Sequence, residues 1–218
     1  MRTLTASTIP LPQDSPRHDP PADRAAPVTA PSSQGSNHSP RTTAGADVQF
    51  EEDHPRDGLY GPMHWLDDRG ITALLAPYVS EGWDGDDYAR IGGLEGADAR
   101  RLLSLLPRLA RGDRQNNAPT IATLLRAAAS VDGLTLEGYV IRAPRRDERV
   151  SIDTVCVPES AISAITGSPA PEQACPSYLH WLALARVLAV PADTPAPDEI
   201  RFLTRTGSSE RWWWAWWD

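Results

Sequence analysis

"LTLEGYVIR" (134–142), "APRRDE" (143–148) and "RVSIDTVCV" (149–157) decide the fold class. The two outer segments alternate apolar with polar residues and are rich in β-branched side chains, so both read as strands. The middle segment is polar and charged, as the tip of a hairpin requires. Alternation sets Leu134, Leu136 and Val140 on one face with Val150, Ile152 and Thr154, and Gly138 marks a bulge.

Upstream of the hairpin the period changes to that of helices. "GITALLAPYVSEGW" (70–83) carries Ile71, Leu74, Leu75, Tyr78 and Val79 on one stripe, which Pro77 kinks or splits. "WDGDDYARIGG" (83–93) reads as a short helix with Asp84 as its N-cap. "GADARRLLSLLPRLARG" (96–112) turns Leu102, Leu103, Leu106 and Leu109 inward. "APTIATLLRAAASVDG" (118–133) does the same with Ile121, Leu124, Leu125, Ala128 and Ala129. Residues 63–132 are therefore expected to be helical.

Downstream, "PESAISAITG" (158–167), "PSYLHWLALARVLAV" (176–190) and "PDEIRFLTRTG" (197–207) read as three further helices. The expectation is an α+β domain over residues 58–218: a helical N-terminal half, a small antiparallel sheet around the 134–157 hairpin, C-terminal helices and a terminal Trp-rich strand. Residues 1–57 hold nine prolines, six serines and only six Leu, Ile, Val or Phe residues. So little apolar surface does not offset the entropy of ordering, and this stretch reads as a disordered tail.

Composition excludes several chemistries. All 21 basic residues are arginine, so no Schiff-base or P-loop lysine is available. The net charge of −8 gives no bulk attraction to nucleic acid or anionic lipid. No GxSxG occurs, and the folded part holds only His64 and His180, each beside a tryptophan. "DGDDYARIGGLE" (84–95) begins like a calcium loop, but Tyr88 and Ala89 occupy its fifth and sixth positions, where an oxygen ligand and a glycine belong. No metal and no cofactor is expected. Cys156 and Cys175 read as reduced thiols, and the absence of a leader or a long apolar span points to a cytoplasmic protein off the membrane.

Two arginine groups stand out. "DYARIGGLEGADARRLL" resembles the helix-turn-helix pattern of bacterial regulators, with Gly93 at the turn and Ala99 and Leu102 buried. That resemblance implies DNA contact within residues 87–111 through Arg90, Arg100, Arg101 and Arg108. The hairpin tip offers a weaker anion site at Arg145, Arg146 and Arg149.

The chain ends in "RWWWAWWD" (211–218), five of its eight tryptophans within six residues. Together these represent on the order of 1,000 Å² of apolar surface, more than a soluble monomer leaves exposed. An extended strand divides them, Trp212, Trp214 and Trp216 to one side and Trp213 and Trp217 to the other. The first set reads as core and the second, Trp213 and Trp217, as a docking surface for an unknown protein partner. A non-enzymatic binding or regulatory module is the expected function, and DNA-binding regulation is the alternative.

Overall fold

A computed structural model describes residues 58–83, 85–167, 176–204 and 209–218. The expected tail, the Asp84 cap and Cys175 lie outside them. The described residues form six helices, α1 (Trp65–Asp68), α2 (Ile71–Leu75), α3 (Gly96–Leu105), α4 (Ile121–Ser130), α5 (Glu159–Thr166) and α6 (Tyr178–Val187). Six strands accompany them: β1 (Val79–Gly82), β2 (Tyr88–Leu94), β3 (Thr135–Ile141), β4 (Arg149–Pro158), β5 (Glu199–Thr204) and β6 (Arg211–Trp216). The strands make one sheet in the order β1-β2-β3-β4-β6-β5, antiparallel throughout. The class is α+β.

Local chemistry explains the helix ends. Pro77 stops α2 at Leu75, and a 3₁₀ turn, Ala76–Tyr78, leads directly into β1. Pro107 pushes Leu106 into an extended conformation (φ −64°, ψ 134°) and ends α3. The Thr120 hydroxyl accepts the Thr123 N–H at 3.3 Å and caps α4. Gly167, at φ 69°, closes α5 in the left-handed conformation that a glycine adopts without a Cβ penalty.

Three strands, β1, β2 and β5, lie in segments read as helix. Residues 63–132 are not helical throughout, because β1 and β2 interrupt them. Along β2, Ala89 and Ile91 are buried while Arg90 and Gly92 between them are not, which is a period of two. Pairing of Tyr88–Ile91 with β3 satisfies the backbone. The segment 199–204 likewise alternates, with Ile200 and Phe202 toward the core, and it pairs along its whole length with β6.

The bulge in the central hairpin falls where Gly138 predicts it. Glu137 faces Thr154 and Gly138 faces Ile152, which leaves Asp153 as the extra residue. A side chain at 138 is impossible, because a Cβ there would stand 2.0 Å from the Ser151 carbonyl oxygen. The extra residue shifts the parity of the rest of β4. Thr154 therefore leaves the face to which the alternation assigns it, and Val155 and Val157 take its place, both fully buried.

The inner face of the sheet carries Ile91, Leu94, Leu136, Val140, Val150, Ile152, Val155, Val157, Trp213 and Ala215. Buried residues of α2 to α6, among them Leu75, Leu102, Leu124, Ile162, Trp181 and Leu184, belong to the same cluster. His180 is part of this packing. Its Nδ1 accepts the Ser177 N–H at 2.9 Å in a capping box at the start of α6, and its ring lies 4.8 Å from that of Trp213 and 5.0 Å from that of Phe202.

Candidate functional site: the outer face of the sheet

The bulge that moves Thr154 outward also decides the tryptophans. In β6, Trp212, Trp214 and Trp216 pair with Pro158, Cys156 and Thr154, while Trp213 and Ala215 pair with Val157 and Val155. Trp213, Ala215 and Trp217 consequently point inward, each with 0% of its surface exposed. This reverses the expected sidedness: Trp213 and Trp217 belong to the core. Trp213 donates its ring N–H to Glu159 at 3.3 Å, and Trp217 meets Trp181 edge to face at 6.1 Å. On the outer side Trp214 and Trp216 stand half-buried, with near-parallel rings 6.4 Å apart, whereas Trp212 is nearly covered.

Around these two rings the outer face carries further aromatic and charged groups, and Gln115 accepts from the Tyr139 hydroxyl at 3.0 Å and the Ser151 hydroxyl at 3.3 Å over its middle, where Ser151, Asp153 and Thr154 are buried. The Arg201 guanidinium lies 5.3 Å from the Trp214 ring and forms a two-toothed bond to Glu199 at 2.6 and 2.8 Å. Toward the other edge, Tyr88 and Tyr139 stack at 5.7 Å, and Arg149 lies over Tyr139 at 5.6 Å. Between the aromatic groups, Arg90 donates to the buried Asp153 carboxylate at 2.8 Å, and the Thr154 hydroxyl donates to the other oxygen of that carboxylate at 2.8 Å. Glu137 stands beside them, with the Cys156 thiol 3.8 Å from its Oε1.

Two carboxylates share one guanidinium here. Burial pushes the Glu137 carboxyl above the usual carboxylate range and Asp153 acts in the same sense, against the Trp214 indole, Arg90 and the Cys156 thiol, which favour the ionised form. The bulge is the reason for the crowding, because Asp153 and Thr154 project from the same side of β4.

The arginines read as a DNA surface do not lie together. The first helix of the expected helix-turn-helix is strand β2, so that motif is not formed. Arg90 belongs to the outer face, while α3 packs with the inner cluster through Ala99 and Leu102. Arg100 donates to the Ala129 carbonyl at 2.8 Å and ties α3 to α4, and Arg101 and Arg108 are exposed. The hairpin tip does not assemble its three arginines either. Arg145 is bound to Asp147 at 2.6 and 2.8 Å, a bond that holds the Asp147 carboxyl below its ordinary value; Arg149 turns to Tyr139; Arg146 is exposed.

A cleft of about 400 Å³ lies elsewhere, between the start of α3 and the end of α4, lined by Tyr78, Glu95, Asp98, Val131 and Asp132. Burial and a 2.8 Å bond to Asp98 push the Tyr78 phenol up to about 12, so it stays protonated and cannot serve as a base near neutrality. His64 is exposed, 3.9 Å from Asp67, and its backbone N–H joins that of Leu66 in bonding the buried Glu148 carboxylate. Among the described residues no group of His, Cys, Asp and Glu side chains is arranged to hold a metal ion. No helix among them is long and apolar enough to cross a membrane.

Residue reasoning missed Tyr88, Glu137, Tyr139, Asp153, Trp214, Trp216 and Arg201. A signal for part of the set is present in the alternation Tyr88, Arg90 on one strand and Glu137, Tyr139 on the next, polar and aromatic residues at every second position. Comparisons with protein-family models, with curated proteins and with solved structures give no match.

Proposed function

We propose that the protein is a binding or regulatory module that engages a protein partner through the outer face of its sheet, with Trp214 and Trp216 as anchors. The observation that carries this reading is the composition of a half-exposed surface. Trp, Tyr and Arg, the residues that dominate binding energy at protein interfaces, occupy it from Tyr88 to Arg201. The surface is already ordered by guanidinium–ring contacts and cross-strand bonds, so little side-chain entropy remains to be lost on association.

The test compares two double variants with the unaltered chain. Trp214→Ala with Trp216→Ala should keep the circular-dichroism spectrum and a cooperative melting transition, lowered by only a few degrees, and should lose the partner, with binding weakened about 30-fold or more in a titration of the purified pair. Arg100→Ala with Arg101→Ala, on the opposite side of the sheet, should leave that titration unchanged. Equal binding by the tryptophan variant and the unaltered chain would sink the reading.

A further inference from the structure

The sheet ends on two unlike edges. β1 is four residues long, its register with β2 breaks between Val79 and Glu81, and Ser80–Gly82 are exposed. Short, irregular edges of this kind discourage the addition of another strand. β5, the outermost strand on the other side among the described residues, is regular over six residues and holds neither proline nor bulge. Half of its backbone N–H and C=O groups point away from β6, and among the described residues none of its backbone groups bonds outside the sheet.

We infer that β5 pairs with β5 of a second copy of this chain, antiparallel about a two-fold axis at Ile200, so that Glu199 of each copy faces Arg201 of the other. Side chains directly opposite in an antiparallel pair lie on the same face, so only registers that match Glu199, Arg201 and Leu203 among themselves are allowed. A two-fold at Arg201 sets two guanidiniums against each other. A two-fold at Phe202 opposes Arg201 to Leu203 and Ile200 to Thr204. Centred on Ile200, the pairing runs over Glu199–Arg201 of both strands, with Ile against Ile on the core side and two Glu–Arg pairs on the outer side, and beyond it Phe202 meets Asp198 and Leu203 meets Pro197. Both charged side chains are available for this, since they are 38% and 50% exposed and, among the described residues, are bound to each other and to the Trp214 ring.

The joined sheet keeps the two outer faces on one side, with Trp214 and Trp216 of both copies flanking the junction. A dimer would thus present two copies of the aromatic face, side by side, to a partner.

Light scattering or sedimentation of the full chain over a range of concentrations tests the pairing independently of any partner. The unaltered protein should approach twice 23.8 kDa. Arg201→Glu alone and Glu199→Arg alone each put like charges opposite one another twice per dimer, and each should raise the dissociation constant about tenfold or more. The double variant Glu199→Arg with Arg201→Glu should dimerise again, and an equimolar mixture of the two single variants should form a mixed dimer. A chain that stays monomeric to its solubility limit overturns the inference. So does a dimer indifferent to both single variants, or a loss that neither the double variant nor the mixture repairs.

Discussion

Strand β6 presents the same residue type to two environments. Trp213 and Trp217 are fully buried among Trp181, His180 and Phe202, whereas Trp214 and Trp216, one position away along the backbone, stand half-buried among Arg201, Glu137 and Thr154. Tryptophan by itself therefore says nothing about role. Parity along the strand does, and that parity is set through pairing with β4, whose single extra residue, Asp153, lies about sixty positions upstream. One side of the strand supplies stability and the other supplies a surface.

The comparison breaks first at Trp213. Truncation to alanine removes a buried ring and its bond to Glu159, and it should cost about 3–5 kcal/mol in urea unfolding, enough to leave much of the protein unfolded. Arg90→Ala comes next: it strands the Asp153 carboxylate, which is only 4% exposed, and should cost about 2 kcal/mol by the same measurement. Trp214→Ala with Trp216→Ala should cost less than either, about 1 kcal/mol or below, because half-exposed rings give up less contact. If the outer pair proves as costly as Trp213, the two sides do not differ as described.

A pH experiment sharpens the account of the outer face. Burial raises the folded-state proton affinity of Glu137 above that of the unfolded chain, so its favourable contribution is fully present below the ordinary glutamate range and is lost as pH rises through the raised folded value. Glu137→Gln removes this dependence. In melting scans from pH 4 to pH 8, the variant should gain on the unaltered protein as pH increases and keep the gain near neutrality. A difference that stays flat with pH would show that Glu137 is not held in an unfavourable ionised state.

Much of the core was legible from residue pattern alone. The central hairpin and the bodies of α3, α4 and α6 follow from periods of two or 3.6, whereas the stretch 96–112, read as one helix with Leu109 inward, ends as a helix before Pro107 and leaves Leu109 exposed. β2 and β5 were not legible, because each offers only three or four alternating positions, and glycines or charges beside them fit a short helix equally well. Their state is decided by the neighbouring strands that satisfy their backbone groups. The outer site depends on these same long-range choices. Arg90 meets Asp153 only once β2 is extended and the bulge has turned Asp153 outward, and no local window of sequence contains both facts.

Residue-resolved oxidation of the tryptophans by hydroxyl radicals, read by mass spectrometry on the folded chain, distinguishes the two sides of β6. The account predicts that Trp214 and Trp216 react on brief exposure while Trp213 and Trp217 stay protected until the protein unfolds. Rapid oxidation of Trp213 or Trp217, with Trp214 and Trp216 spared, would contradict it.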